Sequence, residues 1–135
     1  MFDEYLKQWD LTIDGDAFVS LNGNLLPVRQ RGIPAMLKIS QVAEEQAGGQ
    51  LMAWWDGKGA APVLAHDDKA LLMVRAQGPA SLMQMVSTGK DDQATRILCA
   101  VTAQLHAPAA KPIPTLVPLE QWFEALWDAA AMHGG

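Results

Sequence analysis

The stretch Ile33 to Ser40, IPAMLKIS, alternates apolar residues around a single charge, Lys38. Side chains alternate across a strand, so Ala35, Leu37 and Ile39 share one face with Ile33, while Met36, Lys38 and Ser40 share the other. One face reads as core and the other ends in an ammonium group. The plain reading of Lys38 is a solvated lysine on the wet face of an antiparallel sheet. The alternative is a lysine presented to a ligand, and only the flanking sequence can choose between them.

Towards the N-terminus, Arg31-Gly32 is a tight turn and Leu25 to Gln30 a second strand, so these segments form an antiparallel meander. Ser20 to Asn24, SLNGN, reads as a small polar loop. Leu11 to Val19, LTIDGDAFV, reads as one more strand, turned or bulged at Asp14-Gly15-Asp16. Phe2, Leu6 and Trp9 fall at helical spacing, which predicts a short capping helix over Phe2 to Trp9. Lys38 therefore lies on the third strand of this count.

Towards the C-terminus the period becomes helical over Gln41 to Trp55, with Val42, Leu51, Met52 and Trp55 as inward positions. Gly48-Gly49 weakens the middle of that helix by roughly 1 kcal/mol per glycine, so an interruption there is expected. DGKGAAP at Asp56 to Pro62 breaks the pattern. Val63 to Ala65 and Leu71 to Val74 then flank His66-Asp67-Asp68-Lys69 as two strands around a polar hairpin turn. After Gln77-Gly78-Pro79-Ala80 the chain reads as helical. Ser81 is an N-cap, and Asp91-Asp92 open a longer helix whose Ala94, Ile97, Leu98, Val101 and Leu105 form an apolar stripe. Pro108, Pro112, Pro114 and Pro118 mark an extended connector. A last helix, Leu119 to Met132, carries Trp122, Phe123, Leu126 and Trp127.

At 135 residues the chain can bury a core without a disulfide or structural metal. The net charge of −5 argues against a nucleic-acid binder. The lone Cys99 excludes an internal disulfide and suits a reducing compartment. The N-terminal MFDEYLKQWD is neither a signal peptide nor a membrane span. A soluble, cytoplasmic protein with no membrane or nucleic-acid partner is expected.

The order of a sheet of about five antiparallel strands, a lysine on the third, a helix directly after it and then further helices resembles the nucleotide-binding lobe of a kinase. The wording is more specific. WDLTIDGD, LLPVRQRGIPAMLK, LMAWWDGKGAAPVLAHDDKALLMVRAQG and ATRILCAVTAQLHAP together resemble the aminoglycoside/hydroxyurea antibiotic resistance kinases, the family of streptomycin 6-kinase. The likeness runs from about Trp9 to the end of the chain, and covers only the front part of the family's sequence. It implies an α+β fold: a kinase-like N-terminal lobe over residues 1–77, then helices over 78–135 that begin a second lobe.

The resemblance also assigns roles. Lys38 matches the strand-three lysine that holds the α and β phosphates of ATP. Glu45, with Glu44 as second choice, is the helical carboxylate that would orient it; the plain reading of both is an exposed helix start. Ser20 to Asn24, including Asn22 and Gly23, occupies the place of the phosphate-covering glycine loop, though an ordinary turn explains it nearly as well. Arg75, Ala76 and Gln77 match the hinge whose backbone meets the adenine edge; where the family tends to carry a glutamate, this chain has Val74. Trp54 and Trp55 read as core rather than as stacking platforms. His66-Asp67-Asp68 reads as a turn rather than a metal cluster, and His106 and His133 receive no role.

The resemblance implies ATP and Mg²⁺ as cofactors and an aminoglycoside such as streptomycin, or hydroxyurea, as acceptor. The base and magnesium ligands of the family lie on an HGD…N segment and a later DP segment. Neither occurs here: the HG pair His133-Gly134 is followed by Gly135. No catalytic residue or metal ligand is therefore assigned, and the chain is expected to be inactive by itself. A non-catalytic nucleotide-binding or protein-interaction module is the other class of function that remains open, with self-association expected through the exposed helices.

Overall fold

The computed structural model describes residues 1–134. The fold is α+β, an open antiparallel sheet with helices, as a kinase-like N-terminal lobe requires. It begins with helix α1 (Asp3–Gln8), followed by strands β1 (Leu11–Ile13), β2 (Phe18–Ser20), β3 (Gly23–Gln30) and β4 (Ile33–Ile39). Helix α2 (Ala43–Trp55) comes next, then strands β5 (Val63–His66) and β6 (Ala70–Val74), and helices α3 (Leu82–Ser87), α4 (Asp91–Leu105), α5 (Leu119–Trp122) and α6 (Glu124–His133). The strands lie in the order β1-β3-β4-β6-β5, with β2 also on β3.

The sheet has six strands among the described residues, one more than the sequence predicts. The extra strand arises at Asp14-Gly15-Asp16, which breaks Leu11 to Val19 into β1 and β2; both pair with β3, at Ile13↔Val28 and Phe18↔Leu25. The lysine strand is accordingly the fourth. Ser20 to Asn24 is also not a loop throughout. Ser20 ends β2, Gly23 and Asn24 open β3, and Leu21-Asn22 alone form the turn.

The register fixes both faces of the sheet, because residues directly opposite each other across strands share a face. Leu37 lies between Leu26 and Leu72, and Ala35 between Val28 and Val74. This is the core face, where Leu37, Leu72 and Val28 are wholly buried; removing each such side chain from water stabilises the fold by roughly 1.5–3 kcal/mol. Helix α1 covers it through Tyr5, with Phe2, Leu6 and Trp9 packed around the cluster. On the opposite face Lys38 lies between Leu25 and Leu71, and Met36 between Pro27 and Met73. All six are part-exposed except the buried Leu71. Ile33, grouped by alternation with the core, is 45% exposed at the strand end.

Helix α2 runs unbroken through Gly48-Gly49. Three further features hold it: Ser40 at its approach, acidic Glu44 and Glu45 in the first turn, and a left-handed Asp56 (φ +53°) that closes it with an N–H donated to Met52 O at 3.4 Å. None of its residues is fully buried, and Val42 sits exposed just before it rather than inward. Ser81 caps α3 by accepting the Gln84 N–H at 3.1 Å. The predicted stripe on α4 is largely uncovered: Ala94 is buried, but Ile97 and Leu98 are exposed. The final predicted helix is two, because Phe123 takes a non-helical turn (φ −101°, ψ 16°) between α5 and α6. No helix among the described residues is long and apolar enough to cross a membrane.

Candidate functional site

The part-exposed sheet face carries a charged group at each end. At one end Lys38 Nζ donates to the Glu45 carboxylate, with the two side chains 24% and 23% exposed. The pair follows from the junction between β4 and α2. Ser40, nearly buried, donates its N–H to Lys69 O at 2.9 Å and accepts the Val42 N–H on its hydroxyl at 3.1 Å. Its carbonyl accepts Gln46 Nε2 at 3.2 Å. These bonds set the start of α2 so that Glu45, and not the exposed Glu44, turns towards β4. A cavity of about 250 Å³ opens beside the pair, walled by Met52, Leu71 and Met73 with Gly48 and Gly49 on its helical side.

The turn at Ser20 to Asn24 lies at the same end, since Asn24 pairs with Ile39 and Leu25 with Lys38. The Ser20 hydroxyl is occupied within the turn, donating to Gly23 O at 3.1 Å and accepting the Asn22 N–H at 3.3 Å. Gly23 has a packing reason of its own. At φ +150° a Cβ there would stand 2.6 Å from Ile39 O, so a side chain would push β3 off β4.

At the other end, about 13 Å along the strands by their rise per residue, β6 leaves the sheet at Arg75. Its N–H donates to Pro34 O at 3.0 Å, while its guanidinium donates to Asp14 Oδ2. Asp14 Oδ1 accepts Arg29 Nε at 3.0 Å. The Arg75 guanidinium, and then that of Arg29, hold the Asp14 carboxyl below its ordinary range. Arg75 Nε is buried without a partner among the described residues, a placement that costs roughly 1–3 kcal/mol, while Nη2 of the same group is held by Asp14. Ala76 and Gln77 are exposed, and among the described residues their amides meet no backbone carbonyl.

Between these ends the surface is apolar and part-exposed, formed by Leu25, Pro27, Pro34, Met36 and Met73. The sequence reading did not single out these residues. The signal was present in β4 and β6, which are apolar on both faces, where a one-sided sheet would show polar alternation.

Other candidates fall elsewhere. Asp67 shapes the β5–β6 turn, accepting the N–H of Lys69 and of Ala70 at 2.8 Å each, and the Tyr5 hydroxyl at 3.3 Å. Burial and that bond to Asp67 push the Tyr5 hydroxyl up to about 12. Trp54 and Trp55 are half-buried and work as ties: Trp54 Nε1 donates to Pro112 O at 2.6 Å and Trp55 Nε1 to Leu105 O at 3.1 Å. Lys111 stands 5.6 Å from the Trp54 ring centroid. They join α2 to the end of α4 and the proline-rich connector. Among the described residues no group of three or more His, Cys, Asp or Glu side chains could hold a metal ion.

The family model for aminoglycoside/hydroxyurea antibiotic resistance kinases matches residues 8–135. The streptomycin 3''-kinase of Klebsiella pneumoniae is 47% identical over 128 residues, a match that covers 95% of this chain and 48% of that relative. The chain thus spans about half the length of the curated relative it matches. No solved structure matches it. With its family model matched over nearly the whole length and a kinase relative at that identity, the chain belongs to the aminoglycoside/hydroxyurea antibiotic resistance kinases.

Proposed function

We propose that this chain is the N-terminal, nucleotide-binding part of a cytoplasmic, ATP-dependent phosphotransferase whose acceptor is a hydroxyl of an aminoglycoside such as streptomycin, or hydroxyurea. The observation that carries the reading is the Lys38–Glu45 pair at one end of a part-exposed apolar sheet face. A lysine held by a carboxylate, with apolar surface leading away from it, suits a ligand that has phosphates at one end and a flat base at the other. Lys38 would neutralise α and β phosphate charge, and Glu45 would hold its ammonium in place. Met36, Met73 and Pro27 would floor the base, and the amides of Ala76 and Gln77 would meet its edge. In this reading residues 1–77 hold the nucleotide and 78–135 begin the second lobe.

Among the described residues no group of three or more His, Cys, Asp or Glu side chains could hold a metal ion, and the HGD…N and DP segments that would bring the base and metal ligands do not occur in these 135 residues. No transfer step is therefore assigned to these residues. In this reading ATP supplies the γ-phosphoryl group of the reaction, and no group that positions the acceptor is assigned to these residues. The chain by itself is expected to be inactive, and the test is transfer of labelled γ-phosphate to streptomycin with excess protein and long incubation. Product above a no-protein blank, lost in Lys38→Ala, would overturn this assignment.

A second reading has an observation of its own. Trp122, Phe123, Leu126 and Trp127 are 57%, 47%, 59% and 71% exposed, and such patches mark interaction surfaces. A non-catalytic nucleotide-binding or protein-interaction module, self-associating through α5 and α6, would use them directly.

A further inference from the structure

Arg75 is pinned from two directions at the point where the chain leaves the sheet. Its N–H donates to Pro34 O at 3.0 Å on β4. Its guanidinium reaches back to Asp14, which follows β1, and Asp14 is anchored in turn by an N–H donated to Pro27 O at 2.9 Å. The Asp14 and Arg75 side chains are 25% and 22% exposed, so the pair is shielded from solvent. Arg29, the other cation on Asp14, is 45% exposed and reaches Gly32 O at 3.1 Å without touching Arg75–Gln77. Beyond Arg75, nothing among the described residues ties the amides of Ala76 and Gln77. The course of Ala76 and Gln77 therefore continues from Arg75, whose backbone is held by Pro34 O and whose side chain is held by Asp14.

We propose that Asp14 is a positioning residue for the nucleotide site: acting through the Arg75 guanidinium, it holds the main chain of Ala76 and Gln77 on the course that lets their amides meet the edge of a purine base. This rests on reading the Lys38 face as the nucleotide site. Asp14 touches no ligand itself. It gives a segment whose backbone N–H groups meet no backbone carbonyl among the described residues an order fixed before the base arrives, which lowers the entropy cost of binding.

The test uses the whole chain, labelled with ¹⁵N. ATP is titrated, and backbone order parameters are measured at Ala76 and Gln77 without ligand. Asp14→Asn is expected to weaken ATP about fivefold and to lower order at both residues from about 0.85 towards 0.6. Asp14→Glu should restore both, while Arg29→Gln should lower thermal stability and leave affinity and order unchanged. If Asp14→Asn fails to fold, Arg75→Lys, which keeps the charge but loses the fork, gives the same readout. Unchanged order at Ala76 and Gln77 in Asp14→Asn, or equal effects from Arg29→Gln, overturns the positioning role even where ATP shifts include Arg75–Gln77. ATP shifts that avoid Arg75–Gln77 in the unsubstituted chain overturn the nucleotide reading, and the proposal with it, whatever the order parameters do.

Discussion

The sheet and the helices after it are built on different terms. Of the ten buried apolar residues among those described, nine lie between Tyr5 and Leu72, and Ala94 is the one in the helices that follow. The sheet region thus has a core of its own, whereas α3 to α6 rest on capping, acidic first turns and the two indole ties from α2. A segment with an apolar pattern and no core of its own is one made for covering or being covered. The difference also separates the two functional readings: nucleotide chemistry belongs to the sheet, and association belongs to the helices.

The largest expected effect sharpens this contrast by stability. Leu37→Ala, at a wholly buried site, should lower unfolding free energy by about 2–5 kcal/mol. Leu98→Ala, at a site 53% exposed, should stay within about 0.5 kcal/mol. Urea unfolding of the two variants measures both; equal losses would mean that the helices share the core after all.

Association comes next. The chain should dimerise or swap a helix through α5 and α6, and Trp122→Ser with Trp127→Ser should return it to monomer by light scattering, with little change in the unfolding midpoint of the sheet. A clean monomer at high concentration in the unsubstituted chain would show these helices folding back on the sheet.

A smaller effect lies in α2. A Cβ at Gly49 would meet nothing within 4 Å, so Gly49→Ala should stabilise by about 0.5–1 kcal/mol through helix propensity. Destabilisation would mean that the open space beside the Lys38–Glu45 pair is filled in solution.

A pair of pH trends completes the series. The folded pKa of Tyr5 is raised to about 12 from 10.0. The stability it contributes is therefore present below pH 10 and lost as pH rises from there through 12, and Tyr5→Phe should flatten that alkaline loss. Asp14 is shifted the opposite way, below 3.8. Its contribution is present above that value and lost as pH falls through the lower folded pKa, so Asp14→Asn should lower stability above that value and flatten the acid-side loss.

What the sequence made legible follows the same division. The β4 alternation, the hairpin at His66 to Lys69, the cap at Ser81 and the acidic start of the helix at Asp91-Asp92 were readable, because each depends on local spacing, whereas Glu45 as the partner of Lys38 came from the family resemblance. The splitting of Leu11 to Val19 was not, since it depends on two segments finding one partner strand, β3. Asp14 was read only as part of a turn, because its partners Arg29 and Arg75 are 15 and 61 residues away. The reason for Gly23, a carbonyl on the neighbouring strand, was equally out of reach. Apolar surface left open along Ile97 to Leu105 was expected together with self-association, and Ile97 and Leu98 are exposed.

The central claim is that the Lys38 face holds nucleotide, and amide shifts during an ATP titration test it most directly. The expected binding is weak, no better than about millimolar, because the proposed site relies on one lysine and the amides of Ala76 and Gln77, with no magnesium ligand assigned to it. Lys38→Ala should weaken it further, Glu45→Ala less, and magnesium should change it little. The account predicts perturbed amides clustered at Ser20–Asn24, Lys38 and Arg75–Gln77. Shifts that cluster elsewhere, with those positions unmoved, would contradict it and return Lys38 to a solvated lysine on a wet sheet face.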